Sequence, residues 1–217
     1  MLCLSYLYLM KKREKSMQLF IDLGFGIEKN ILQEEGMIPS SRFNNIIFAA
    51  ETIGDFDLIA LAIKHLAPLI VDDRKREVCL LLAYAFLHFN DKEYHEVDEF
   101  LHKLVNANNL PKFFILRKHQ LSLKCIFDQH KNKKQAYEEL KAKEATFRSM
   151  LDREKKKGTL NNDDVRCNLN LYKLTKKMAK IANRPNARAI IQKKLISFDG
   201  KIAELKWLNE KIAELPE

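Results

Sequence analysis

The chain has 217 residues, 47% of them apolar, but only 6 glycines and 5 prolines. An all-β fold needs turn residues at every hairpin, so this scarcity excludes it and predicts an all-α protein. The formal net charge of +9 is uneven: residues 1–109 carry −4 (12 Lys/Arg against 16 Asp/Glu), and residues 110–217 carry +13 (26 against 13). The basic second half therefore suggests an acidic or anionic partner for that half alone.

The chain opens with the apolar run MLCLSYLYL, which is followed by the basic cluster KKREK. A secretion signal has its basic residues before the apolar run and a small-residue cleavage site after it. The run is also much shorter than the roughly 20 apolar residues of a membrane span. We therefore expect it to be a helix of the fold, with SYLYL at residues 5–9 matching AYAFL at residues 83–87.

Two helical hairpins are predicted next along the chain. The first pairs residues 43–54 with 55–69, with Asp55 as N-cap of its second helix, and the next pairs 76–89 with 91–105, with Asp91 as N-cap. Because only about two residues separate the helices of the second pair, they must pack antiparallel, and the first pair repeats the unit with a Gly-Asp break. The aromatic residues that follow the two breaks, Phe56 and Tyr94, lie 38 positions apart. Two-helix units at such a period are typical of a helical solenoid.

The second half continues this pattern. A third unit pairs residues 112–129 with 134–151, and a fourth begins where Asn161 or Asn162 caps a helix over 163–182. After Pro185 the pattern predicts one long helix, roughly over residues 186–214. The predicted organisation is a helical-repeat domain over 1–182 and a C-terminal capping or self-association helix over 183–217.

These hairpins resemble tetratricopeptide (TPR) repeats. In LLAYAFLHFNDKEYHEVDEFLHKL, the small residue Ala83 precedes the large apolar Phe86 and Leu87, a polar break follows, and Tyr94 opens the second helix. The motif is degenerate, since alanine is usual where Val97 stands. The segment order over most of residues 1–182 is also similar to that of uncharacterised bacterial TPR-like proteins; the segments are Phe43 to Asn45, Gly54 to Phe56, Leu82 to Phe86, and Phe147 to Lys157.

The resemblance implies a fold with no reaction attached: an all-α, TPR-like α-α hairpin solenoid, a right-handed superhelix with a long C-terminal capping helix. Stacked hairpins of this class expose a concave groove, where a peptide or partner helix binds. We expect a non-enzymatic interaction scaffold of this kind. Polar positions on the first helix of each hairpin are the candidate partner-binding residues: Asn44, Asn45, Tyr84, His88, Arg117, Lys118 and Asn168.

No catalytic or cofactor motif is present in the sequence. HEVDE at residues 95–99 is a near miss for the zinc motif HExxH; His95, Glu99 and His102 share a helix face, but the sequence offers no further ligand. The four cysteines have no metal-site spacing and are expected to be reduced thiols of a cytoplasmic protein.

A second functional hypothesis concerns the lysines of the basic half. The basic side chains of this half could bind nucleic acid or another polyanion by neutralising phosphates. They are Lys112, Arg117, Lys118 and Lys124 on one predicted helix, then Lys131, Lys133 and Lys134, and Lys155 to Lys157. Acidic residues interleave with them at helical spacing, which favours an ordinary mixed-charge surface.

The last predicted helix contains KIAEL twice, at residues 201–205 and 211–215. Its apolar stripe can cover the last repeat as a cap, or it can form the seam of a homodimer. The candidate self-association residues are Leu205, Trp207, Leu208 and Ile212.

Overall fold

The computed structural model describes residues 36–105, 111–130 and 132–217. The helix predicted at the N-terminus lies outside these residues. Those described form nine α-helices and one short 3-10 turn, which confirms the all-α prediction. The chain divides into two compact units, Met1–Ala107 and Asn108–Glu217. The domain boundary predicted between residues 182 and 183 therefore lies inside the second unit.

The first unit contains two consecutive helical hairpins. Gly54 ends the first helix with φ 83°, a left-handed conformation that glycine adopts without penalty. The Asp55 carboxylate then accepts a hydrogen bond from the Leu58 amide at 3.0 Å, which confirms Asp55 as the predicted N-cap. The elements are α1 (Ser40–Ile53), α2 (Phe56–His65), a 3-10 turn (Ala67–Leu69), α3 (Asp73–Asn90) and α4 (Tyr94–Val105).

The turn between α3 and α4 differs from the sequence prediction. Asp91 is not the N-cap of α4 but the C-cap of α3, and α4 begins three residues later. The Glu93 amide first donates to the His88 carbonyl at 2.9 Å, while Lys92 adopts φ 63°. Closing the last turn of α3 uses these residues, so α4 cannot begin at residue 92.

The second unit begins with a hairpin and continues with three more helices. Asn161 and Asp164 form a reciprocal capping box, their side chains bonding each other's amides at 2.8 and 2.9 Å, and this confirms the predicted cap. The elements are α5 (Lys112–Gln129), α6 (Lys133–Lys156), α7 (Asn162–Ile181), α8 (Ala187–Ile196) and α9 (Leu205–Ala213).

The single long helix predicted over residues 186–214 is wrong. The structure has two shorter helices, α8 and α9, joined by a loop in which Asp199, Gly200 and Glu204 all have positive φ. Left-handed residues cannot continue a right-handed helix, so the chain turns at this point. Among the helices described, none is both long and apolar enough to cross a membrane.

The two units share one packing pattern. In the first, α3 packs against both helices of the α1–α2 hairpin. In the second, α7 packs in the same way against both α5 and α6. In each unit a third helix thus packs on the preceding hairpin, and its apolar side chains, such as Phe86 in α3 and Leu174 in α7, are buried.

Candidate functional site

Two of the predicted partner-binding residues lie together in the first unit. The Tyr84 and His88 rings, one turn apart on α3, both stack on the ring of Phe100 on α4, with centroid distances of 5.7 and 5.2 Å and interplanar angles of 24° and 23°. Tyr84 is among the exposed large side chains of the described residues, at 36% exposure. We call Tyr84, His88 and Phe100 the aromatic surface.

The helical spacing of α3 places this surface opposite the core. Ala83, Ala85 and Phe86 are all buried, so Tyr84 and His88 lie on the other side of the helix. On α4, Val97 and Leu101 form the buried stripe, and Phe100 is half-buried beside it. The aromatic surface therefore lies along the line where the two helices meet.

Charged groups surround the aromatic surface. The His88 Nδ1 atom lies 2.6 Å from the Glu93 carboxylate, which fixes the imidazole ring. The Lys103 ammonium lies 5.4 Å from the centre of the Phe100 ring and 3.9 Å from Glu99. Residues 36–105 contain 7 Lys/Arg against 11 Asp/Glu, so the surface belongs to a predominantly acidic region.

The predicted residues on α1 have other positions. Burial of the Cys79 thiol on α3 raises its pKa to about 11, and the neighbouring Asn44 side chain on α1 acts in the opposite direction. Asn44 therefore lies where α1 meets α3, whereas Tyr84 and His88 lie on the side of α3 that faces α4. Asn45 is exposed on α1.

In the second unit, Arg117 binds an acidic group of its own chain. Arg117 and Lys124, one above the other on α5, form ion pairs with the carboxylate of Glu204, and the Lys124 Nζ to Glu204 Oε2 distance is 2.9 Å. The Lys124 and Glu204 side chains are only 5% and 7% exposed. Burial alone would raise the pKa of Glu204, but the charges of Lys124 and Arg117 hold it at about 2. We call these three residues the buried charge cluster.

The other two predicted residues of this unit also face inward. Asn168 on α7 is 3% exposed; it accepts a hydrogen bond from Gln120 at 2.9 Å and donates one to the Asp164 carbonyl at 2.8 Å. Lys118 is half-buried, and burial lowers its pKa. The structure thus brings together Tyr84 and His88 but engages Arg117 and Asn168 in internal contacts.

Three of the four candidate self-association residues pack within their own unit. Trp207, Leu208 and Ile212 are buried, and only Leu205 is exposed, at 46%. The Trp207 indole donates to the Asp128 carboxylate at 3.1 Å and packs edge-on against the Phe127 ring. This is the arrangement expected of the cap, one of the two alternatives for the C-terminal segment.

The near-zinc motif forms ordinary surface contacts. His95 and Glu99 lie 3.5 Å apart as an exposed pair. Across the described part of the chain, no group of three or more His, Cys, Asp or Glu side chains is arranged to hold a metal ion.

Sequence reasoning missed Phe100 and Glu204, and it named Lys124 only as one of the cations of the basic half. Phe100 carried a detectable signal, since a large aromatic beside the apolar stripe of α4 must lie at the edge of the hairpin. Glu204 had none, because its cationic partners lie 87 and 80 residues away along the chain. No family model, curated protein or solved structure matches the chain, so the TPR resemblance stays a prediction.

Proposed function

We propose that the protein is a non-enzymatic interaction scaffold of the TPR-like class, which binds a peptide or partner helix. The observation that carries the proposal is the aromatic surface on α3 and α4: a solvent-exposed Tyr84 beside stacked His88 and Phe100. Aromatic side chains are enriched where partners bind, because they bury a large area with few rotatable bonds.

The rigidity of the surface supports this role. Phe100 stacks on the two rings of α3, the Lys103 ammonium lies over its ring, and the hydrogen bond with Glu93 orients His88. Because these side chains are already ordered, a ligand that covers them loses little binding free energy to their entropy. A stacked, pre-organised cluster therefore favours binding more than the same residues as separate mobile side chains would.

The charges around the aromatic surface indicate the chemistry of the partner. Glu77, Glu96 and Glu99 are exposed on the same two helices, and the region is acidic overall. A complementary partner presents an apolar or aromatic side chain flanked by lysine or arginine. This is the opposite of the acidic partner suggested by the basic half, whose Arg117 and Lys124 are paired with Glu204.

The TPR-like assignment has its own support. In each unit the third helix packs on both helices of the preceding hairpin, as consecutive repeats do. Cys79 and Cys167 are thiols, which supports the proposed cytoplasmic setting.

Polyanion binding by residues 110–217 is the second candidate, and exposed Lys155 and Lys156 at the end of α6 favour it. Several other cations of α6 and α7, such as Lys143, Arg148 and Lys176, are paired with glutamates. We therefore expect the chain to elute from heparin below physiological salt concentration. Retention above that concentration would favour polyanion binding over the scaffold proposal.

Selection from a random peptide library tests the scaffold proposal. Peptides enriched on the wild-type chain should contain an aromatic residue beside basic ones and should bind at least tenfold more weakly to Tyr84→Ala and Phe100→Ala. Tyr137→Ala, which removes a half-buried tyrosine of the second unit, is the matched control and should bind as wild type does. Peptides that bind all four chains equally would show that the aromatic surface is not the binding site.

A further inference from the structure

Hydrogen bonds within the last 31 residues join the end of the chain to the start of α8. Arg188, at the start of α8, donates from its backbone amide to the Pro216 carbonyl at 3.0 Å and from its guanidinium to the Ala213 and Leu215 carbonyls at 2.6 and 3.2 Å. These bonds tie the end of the chain to the beginning of α8. We call residues 187–217 the C-terminal hairpin.

The face that this hairpin presents to α5 has the chemistry of an interface between proteins. Glu204 inserts between two cations, the Trp207 indole bonds Asp128, and the Lys211 ammonium lies 3.1 Å from the same carboxylate. A tryptophan anchor with desolvated charge pairs is typical of binding hot spots, whereas ordinary cores are almost wholly apolar. Along α5 the cations come first and the carboxylate follows. A complementary segment therefore needs an acidic residue before its tryptophan and a basic residue after it.

A short connection joins the hairpin to the rest of its unit. Only residues 182–186 lie between α7 and α8; they include Pro185, and Asn186 has φ 61°. Asparagine adopts this left-handed conformation more readily than most residues, but still at a cost relative to glycine. Short strained hinges of this kind favour exchange of the element that they carry between two copies of a chain.

We propose that the C-terminal hairpin is exchangeable, and that two copies of the chain form a dimer in which each hairpin docks on α5 and α7 of the other copy. The occupant is a second copy because its own hairpin carries the complementary order of charges, Glu204, Trp207 and Lys211. Exchange reproduces every contact of the hairpin, so the monomer and the dimer differ only in the hinge and in the concentration dependence of association. The aromatic surface takes no part, so this proposal is independent of the proposed function.

Charge reversal on the two sides of the buried cluster tests the exchange. In Glu204→Lys the hairpin repels its own Arg117 and Lys124, and in Lys124→Glu the body repels its own Glu204. When the two chains are mixed and refolded together, exchange brings the two substituted side chains, now of opposite charge, into contact in one half and restores the native pairs in the other. We expect a heterodimer of twice the 25.4 kDa chain mass by light scattering and native mass spectrometry, whereas each variant alone shows no such species.

In the control mixture, Glu210→Lys, which reverses a charge on the exposed side of α9, replaces Glu204→Lys. Isotope labelling of the Lys124→Glu chain then distinguishes a heterodimer, which should not form, from the homodimer of the Glu210→Lys chain. A mixture of Glu204→Lys and Lys124→Glu that stays monomeric, or that aggregates as each variant does alone, would contradict the proposal.

The wild-type chain provides a second measurement that needs no disruptive variant. After incubation at its unfolding midpoint at high protein concentration and return to native buffer, the dimer fraction should rise with concentration. Asn186→Gly removes the strain in both hinges and should lower the dimerisation constant by about tenfold. A wild-type chain that returns as monomer at every concentration would overturn the inference.

Discussion

Among the described residues, each unit has a trio of histidine, phenylalanine and tyrosine with the phenylalanine in the middle. In the first unit, Phe100 stacks with Tyr84 and His88 at the surface. In the second, Phe147 stacks on Tyr172 at 4.8 Å and meets His119 edge-on at 5.8 Å. Phe147 and Tyr172 are 7% and 4% exposed and belong to the core, and His119 lies half-buried against them.

Burial gives the same three side chains different properties. In the second unit, burial lowers the pKa of His119 to about 4, with the charges of Lys118 and Arg153 acting in the same direction. Burial likewise raises the pKa of Tyr172, whose hydroxyl donates to the Leu140 carbonyl. The buried trio therefore contributes to stability, while the exposed trio retains surface that a partner can cover.

The largest expected difference between the trios follows truncation of the central ring. Phe147→Ala leaves a cavity in the core and should lower the free energy of unfolding by about 4 kcal/mol. Phe100→Ala removes a half-buried ring and should cost about 1 kcal/mol. Urea unfolding followed by far-UV circular dichroism measures both; equal losses would show that the two trios do not differ in burial.

The charged groups of the two units should differ almost as much. Glu204→Gln leaves Arg117 and Lys124 buried without their counter-charge and should cost about 3 kcal/mol. Asp73→Asn breaks the exposed pair with Arg76 in the first unit and should cost less than about 1 kcal/mol. Trp207, the single tryptophan of the chain, reports unfolding of the second unit by its fluorescence. A loss below about 1 kcal/mol for Glu204→Gln would contradict the buried position of the cluster.

Acidification should act on the second unit through His119. Its folded-state pKa of about 4 lies below the ordinary value of 6.5, so between these values the unfolded chain binds a proton that the folded chain does not. Stability is therefore intact above pH 6.5 and falls by about 3 kcal/mol as the pH drops towards about 4. In His119→Gln this loss should disappear, whereas His88→Gln should retain it. Urea titrations across this pH range, followed by Trp207 fluorescence, measure the free energy of unfolding of each variant. An equal loss in His119→Gln and the wild type would exclude His119 as its cause.

The smallest effect concerns the two tyrosine hydroxyls of the second unit. Tyr172→Phe removes the hydrogen bond to the Leu140 carbonyl and should cost about 1 kcal/mol. Tyr137→Phe, at a half-buried position of α6, should leave the unfolding midpoint unchanged. Thermal unfolding of both variants measures the difference, and an unchanged melting temperature in Tyr172→Phe would exclude a stabilising role for its hydroxyl.

Local patterns predicted much of the fold. The breaks at Gly54-Asp55 and before Asn161 were predicted correctly, because capping depends on residues within a few positions of the helix end. The spacing of Tyr84 and His88 on one face of α3 was predictable for the same reason. The break between α8 and α9 was missed although it carries a local signal, since Asp199-Gly200 is a turn dipeptide and both residues have positive φ. What no local pattern indicates is that Glu204, at the end of this loop, pairs with Arg117 and Lys124.

The sequence by itself determined the all-α class, the hairpins of both units and the side of α3 on which the aromatic surface lies. Tertiary structure alone decided which polar residues remain accessible. Arg117 and Tyr84 both read as polar positions on the first helix of a hairpin, yet one is neutralised by a glutamate 87 residues away and the other stays exposed. Helical periodicity is set by neighbours three and four residues apart, whereas the burial of a charge depends on a partner that only the folded chain brings within reach.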